Sequence, residues 1–219
     1  MDWEKVITLF VVLIISLTTH EAAHGLFAWL GGDSTAKDAG LVTLNPLPHM
    51  QREPIGMVLI PMVVLYMSGG KYCFGGASAP IDPYWAARHP KKAALMSAAG
   101  PLANVVLAAI AFAVLYFIGR PEGGSNGTGN DMAIGKIAFT FLFLNMLLAT
   151  FNLIPLPPFD GSGVVRGLAP KTGRLFDAYQ KIPVYFILSM IVASFLVSSI
   201  LGTMLWEVSS WLPWPYWEM

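Results

Sequence analysis

Charged residues are scarce in this sequence, and their scarcity limits the class of protein to which the chain can belong. Only 12% of its 219 residues are charged, whereas 55% are hydrophobic. A soluble domain of this length carries about 25% charged residues. A chain this apolar belongs in a membrane, where its length provides a handful of spans. Because the formal net charge is zero, there is no electrostatic reason to expect nucleic acid as a partner.

Cysteine is almost absent as well. The single cysteine, Cys73, excludes an internal disulfide, a four-cysteine zinc site and a CxxC redox pair. Phe74 and Gly75 follow it, a context typical of a small buried hydrophobic residue and not of a nucleophile. The chemistry of this chain must therefore come from other side chains.

Long apolar runs are abundant and predict the architecture. Four runs are each long enough to cross a hydrocarbon core of about 30 Å as a helix. They cover residues 6–30, 93–118, 137–156 and 184–206. The charged residues before the first run are Lys5 and two acidic residues, which make a poor start for a signal peptide. We therefore interpret the run as a retained helix. The sequence predicts one all-α polytopic membrane domain over residues 1–219, a helical bundle with about four full spans.

A fifth apolar run, residues 55–68, is too short for a regular span and contains the helix-breaking Pro61. If it dips into the membrane and returns, ten basic residues share one side and three lie on the other. The ten are Lys37, Arg52, Lys71, Arg88, Lys91, Lys92, Arg166, Lys171, Arg174 and Lys181, and the three are Lys5, Arg120 and Lys136. If it crosses, nine basic residues lie on one side of the membrane and four on the other. Both splits satisfy the positive-inside rule, so charge alone leaves the choice open.

Residues 41–45 show a different pattern, an alternation that favours a strand. Leu41, Thr43 and Asn45 alternate with Val42 and Leu44. Period-two alternation before a proline indicates a short strand or hairpin more than a helix. We therefore predict a small membrane-associated β-hairpin here.

His20, Glu21 and His24 form a complete HExxH sequence inside the first apolar run. Positions i and i+4 of a helix lie on one face, so both imidazoles can bind one metal ion while the glutamate approaches a bound water. The pentapeptide alone is a modest signal. Two histidines and a glutamate are costly to bury in an apolar helix, which favours a metal site over a polar lining of the bundle.

Zinc in a catalytic site needs a third protein ligand and an open fourth position. Asp33 and Asp38 are near in sequence but fall in a polar loop, where a solvated carboxylate is the default. Asp160 is a better candidate. The prolines of residues 155–158 end the preceding helix, so Asp160 is presented from extended backbone at membrane depth. The alternative interpretation of Asp160 is a turn residue before Gly161.

Three motifs follow one another along the chain. They are His-Glu-Ala-Ala-His at 20–24, Gly-Pro-Leu-Ala-Asn at 100–104, and Asn152-x-x-Pro155-x-x-x-x-Asp160-Gly161. In this order they resemble the site-2 protease family of intramembrane zinc metalloproteases, over most of the chain from residue 20 to 161. The stretch Leu-Asn-Pro-Leu-Pro-His at 44–49 is similar to compact bacterial members without PDZ or CBS domains.

The resemblance implies a zinc site with one ion per chain. His20, His24 and Asp160 would be its ligands, and Glu21 the general base that activates water. Asn152 matches an asparagine thought to bind substrate or stabilise the oxyanion.

The resemblance also implies a place for substrate. Asn104 matches a motif near the active site and is expected to contact substrate. Residues 41–45 match the region that pairs with the unwound substrate. His49 could belong to a substrate gate or serve the structure.

The expected function is therefore hydrolysis of peptide bonds within or near transmembrane segments of other membrane proteins. Membrane lipid is the other expected partner. The location would be the cell membrane, with several spans and the active site towards the cytosol. One zinc can bind both His24 and Asp160 only if an even number of crossings separates them, which makes residues 55–68 re-entrant. The alternative is a membrane metal-binding or transport protein without hydrolysis, which would tolerate Glu21→Gln.

Overall fold

The computed structural model describes residues 2–118, 129–171, 173, 176 and 183–212, and within them the chain is mostly helical. The helices are α1 (Trp3–Gly31), α2 (Thr35–Asp38), α3 (Pro46–Arg52), a π-helical turn (Ile55–Leu59) that continues into α4 (Ile60–Met67), α5 (Pro83–Arg88), α6 (Pro90–Ile118), α7 (Gly129–Asn152), α8 (Asp160–Leu168) and α9 (Pro183–Ser210). Helices α1, α6, α7 and α9 are long and apolar enough to cross a membrane. This confirms a mostly helical chain with four helices able to cross a membrane, whereas the re-entrant segment and the single domain over residues 1–219 stay predictions.

The predicted β-hairpin is wrong, because the described part of the chain contains no strand. Residues 41–45 instead connect α2 to α3 through turns. The Asn45 N–H donates to Thr43 Oγ1 at 3.1 Å, and the Leu47 N–H donates to Asn45 Oδ1 at 3.1 Å, which caps α3. Threonine and asparagine side chains that bond to nearby backbone compete with strand pairing, and here they prevail over a five-residue alternation.

Helix α6 is the centre of the bundle and packs against α1, α7 and α8. Its inward positions are small, and Ala94, Ala99, Ala108 and Ala111 are buried. Because lipid is as apolar as a leucine side chain, membrane helices associate through close packing, which small residues permit. Helix α7 in turn contacts α1 and α9. The HExxH sequence on α1 therefore faces a closely packed neighbour.

The ends of α1 and α6 meet beside the glycine turn that stops α1. Gly32 adopts φ 103°, a left-handed conformation that favours glycine, and ends the helix. Trp85 Nε1 and Lys92 Nζ both donate to the Gly31 carbonyl, at 3.2 and 2.9 Å. The start of α6 is thereby attached to the end of α1, and the two helices are antiparallel.

The chain between α3 and α5 makes an excursion along α1 and comes back. Gly70, just beyond α4, lies against Val6 in the first turns of α1. An irregular segment over residues 72–82 then returns, and the Asp82 N–H donates to Asp33 Oδ2 at 2.8 Å, just past the end of α1. The Gly76 N–H donates to the Gly56 carbonyl at 3.1 Å on the way. The excursion therefore begins and ends beside the same end of α1.

Candidate active site

The HExxH side chains lie in the interior where α1 faces α6. His20, Glu21 and His24 are all buried. Asp160, the first residue of α8, reaches the same point from far along the chain. His20 Nε2 lies 3.0 Å from His24 Nε2 and 3.0 Å from Asp160 Oδ2, and His24 Nε2 lies 3.3 Å from Asp160 Oδ2. The structure thus brings together the three residues predicted as ligands.

The donor set of these three residues fits a cation. The other nitrogen of each imidazole faces an oxygen acceptor: His20 Nδ1 lies 2.5 Å from Asn104 Oδ1, and His24 Nδ1 lies 2.7 Å from the Met96 carbonyl. In a neutral histidine those Nδ1 atoms carry the proton, which leaves a lone pair on each Nε2. Two lone pairs and a carboxylate oxygen then point at one another.

With both imidazoles neutral, such an arrangement is repulsive unless a metal ion or a proton lies among the three atoms. Ligands about 2.0–2.2 Å from a tetrahedral zinc lie roughly 3.3–3.6 Å apart, close to the separations observed here. Two imidazoles and one carboxylate also match the chemistry of catalytic zinc sites, which keep a fourth position for water.

Gly100 on α6 makes room for the two imidazoles. A Cβ at this position would lie 2.6 Å from His20 Nε2 and would overlap His24 Nε2 still more closely. The glycine of the second motif therefore allows α6 to approach the metal-binding face of α1 within van der Waals contact. Its neighbour Pro101 is buried in the same helix.

Asp160 is positioned by the turn before it and by the glycines after it. The Phe159 N–H donates to the Leu156 carbonyl at 3.0 Å, which closes the proline-rich turn. In α8, a Cβ on Gly163 would overlap Ser97, and one on Gly167 would overlap the Pro90 carbonyl. These contacts hold α8 flat against the first half of α6, with Asp160 aimed at the histidines.

A cavity of about 990 Å³ opens beside the three ligands. Glu21 and Asn152 line it, together with the irregular residues 73–79. Residues 41–45 lie outside this lining, with Leu41 buried and Val42 packed near Gly25.

Two further residues near the cavity have no place among the ligands. Cys73 lines it, but burial raises the pKa of the thiol to about 11, so it is not a thiolate nucleophile at neutral pH. His49 is buried, and its Nε2 lies 3.0 Å from the Thr43 carbonyl.

Asn104 is fully buried and does not line the cavity. Its carboxamide contacts His20 and Asn145, and Asn145 contacts Ser16. Sequence reasoning overlooked Asn145 and Ser16. The only available signal was the cost of an asparagine within an apolar helix, and a single serine carries no such signal.

Comparison with known proteins relates this site to a family. The chain matches the model of peptidase family M50 over residues 8–126 and 125–195. It is 35% identical to the candidate zinc metalloprotease YwhC of Bacillus subtilis, over 76% of this chain and 71% of that protein. It is 30% identical to the candidate zinc metalloprotease Rip2 of Mycolicibacterium smegmatis, over 74% of this chain and 57% of that protein. No solved structure matches the chain.

The packing of Gly100 yields a first prediction. Gly100→Ala should weaken zinc binding at least tenfold, because the added methyl group must displace one imidazole from the site. Zinc affinity is measured by competition with a chelator on the purified chain in detergent. Gly202→Ala is the control, since a Cβ on Gly202 in α9 meets nothing within 4 Å. Equal zinc affinity in both variants would contradict the steric argument.

Proposed function

This chain belongs to peptidase family M50 and is a zinc metalloprotease of the site-2 type, and on that premise we propose that it hydrolyses peptide bonds within or next to transmembrane segments of other membrane proteins. The observation that carries the proposal is the convergence of His20, His24 and Asp160 beside a cavity among membrane-spanning helices. A cavity between such helices is accessible to a peptide bond in the transmembrane segment of a substrate protein.

The proposed reaction depends on Glu21. His20, His24 and Asp160 would hold a zinc ion, whose Lewis acidity would be available to activate a water molecule and the scissile carbonyl. Glu21 lines the cavity next to His20, and its Oε2 atom finds no hydrogen-bond partner among the described residues. Its carboxylate is therefore free to take the proton of the attacking water and pass it to the leaving amine.

Asn152 is proposed to stabilise the charge that develops on the substrate carbonyl oxygen. It lies at the end of α7 and lines the cavity. One N–H of its amide donates to the Leu148 carbonyl at 3.0 Å, which fixes the side chain. The second N–H is available to a developing oxyanion.

Two segments are candidates for pairing with the unwound substrate. The resemblance favours residues 41–45, whereas the cavity lining favours residues 73–79. Within the described chain, the Gly76 N–H is the one backbone donor of residues 73–79 that has a protein acceptor. Extended backbone with free donors at membrane depth suits the addition of a substrate strand.

The active site is proposed to face the cytosol from the cell membrane. Arg88, Lys91 and Lys92 cluster at the start of α6, the end of that helix nearer the metal ligands. This agrees with the positive-inside rule. Arg120, Arg174 and Lys181, which entered the charge count, lie outside the described residues.

Cysteine labelling tests this orientation. Lys91→Cys in a Cys73→Ser background should resist a membrane-impermeant maleimide added to intact cells and react after the cells are opened. Reaction in intact cells would place the site on the opposite face.

Loss of the general base is the central test of the function. Glu21→Gln should lower cleavage of a model single-span substrate in detergent by about 10²–10⁴-fold while zinc still binds. Removal of zinc with a chelator should abolish cleavage by the wild type, and added zinc should restore it. Equal cleavage by both proteins would exclude Glu21 as the base. Zinc binding without any cleavage across a substrate panel would favour a metal-binding or transport function.

Proline substitutions separate the two pairing segments. Ala77→Pro removes one backbone donor from the cavity edge and should reduce cleavage about tenfold or more, whereas Thr43→Pro should have a smaller effect. Zinc affinity serves as the control, because neither residue contacts a ligand. A larger loss from Thr43→Pro would return the pairing role to residues 41–45.

A further inference from the structure

Behind the zinc ligands lies a chain of buried amides that connects three membrane helices. Ser16 lies on α1 one turn before His20, Asn104 on α6 and Asn145 on α7. All three have 0% exposure, so the described part of the protein encloses them completely. We propose that Asn145 and Ser16 are positioning residues that hold His20 in its metal-binding tautomer through Asn104. This inference rests on the zinc site of the proposed function.

The bonds along this chain are short and continuous. His20 Nδ1 lies 2.5 Å from Asn104 Oδ1, and Asn104 Nδ2 donates to Asn145 Oδ1 at 2.8 Å. Asn145 Nδ2 donates to Ser16 Oγ at 2.9 Å and to the Phe141 carbonyl at 2.9 Å. Asn104 Nδ2 also lies 3.5 Å from the Ser16 carbonyl.

The direction of these bonds is determined at the Phe141 end. A backbone carbonyl only accepts, so the NH₂ group of Asn145 must face it and the oxygen must face Asn104. That oxygen in turn requires the NH₂ group of Asn104, which leaves the Asn104 oxygen for His20. The proton of neutral His20 then resides on Nδ1, and Nε2 keeps the lone pair that a metal needs.

The opposite orientation of Asn104 would have the opposite effect. An NH₂ group facing His20 would require a lone pair on Nδ1 and would place the proton on Nε2, where it blocks the metal. The two ends of a carboxamide have nearly the same size, so packing alone does not select between them. The selection comes mainly from Asn145 at 2.8 Å, and the more distant Ser16 carbonyl, 3.5 Å from Asn104 Nδ2, favours the same orientation.

His24 needs no such chain. Its Nδ1 lies 2.7 Å from the Met96 carbonyl, a backbone acceptor with one possible role. The tautomer of His20 therefore depends on three side chains, whereas that of His24 depends on backbone. Substitutions in the amide chain should affect the metal site through His20 alone.

Zinc affinity of the purified full chain, measured by chelator competition, tests the proposal without any substrate. Asn145→Leu should weaken zinc binding about 10–100-fold, the usual effect of losing a partner that orients a metal-ligating histidine. A carboxylate at position 104 accepts at both ends and has no wrong orientation. Asn104→Asp should therefore restore about tenfold of the lost affinity in the Asn145→Leu background. A role of Asn145 in packing alone would not be rescued in this way.

Serine substitutions supply a second, milder test should Asn145→Leu fail to fold. Ser16→Ala should weaken zinc binding about 2–10-fold, the range expected for one hydrogen bond. Ser189→Ala on α9 is the matched control, since Ser189 is equally buried and its hydroxyl has no partner among the described residues. It should leave zinc affinity unchanged.

Three outcomes would overturn the inference. They are unchanged zinc affinity in folded Asn145→Leu, no recovery in the double variant, and equal effects of Ser16→Ala and Ser189→Ala. Failure of the proposed function appears elsewhere, as cleavage retained by Glu21→Gln. If Asn145→Leu binds zinc weakly while Glu21→Gln still cleaves the substrate, this inference holds and the proposed role of Glu21 is wrong.

Discussion

The structure depends on three lone-pair donors held within 3.3 Å of one another in an apolar bundle. With both imidazoles neutral, His20 Nε2, His24 Nε2 and Asp160 Oδ2 repel one another unless a metal ion or a proton lies between them, so the surrounding protein must hold them in place. Each ligand is fixed from behind: His24 by a backbone carbonyl, His20 by Asn104, and Asp160 by the turn that precedes α8. The metal site is thus a consequence of how α1, α6 and α8 pack.

Glycine permits this packing. Gly100 brings α6 against both imidazoles, and Gly163 and Gly167 bring α8 against α6. In lipid there is little hydrophobic gain from burying one apolar helix against another, so close backbone approach supplies much of the association. The same contacts that stabilise the bundle therefore set the distances between the ligands. A methyl group at any of the three glycines would disturb both.

In the proposed function, irregular backbone provides the access for water and substrate that apolar helices exclude. Residues 72–82 and the turn before Asp160 interrupt the helical pattern beside the cavity. Backbone of this kind is tolerated at membrane depth only where protein or water satisfies it. The proposed hydrolysis needs both a water molecule and a peptide bond released from its helix. Glu21 and the irregular residues 73–79 line the same cavity.

The sequence by itself determined the spans, the shared face of His20 and His24, and the candidacy of Asp160. These features follow from local periodicity and from the cost of placing polar groups in apolar runs. The same local reasoning failed at residues 41–45, where turn-forming side chains prevailed over alternation. Only the tertiary structure decided that Gly100 abuts both imidazoles, that residues 73–79 line the cavity, and that Asn145 orients the amide behind His20. Each of these is a contact between distant parts of the chain, such as the 129 positions between Ser16 and Asn145, and no local pattern encodes which distant residue will be met.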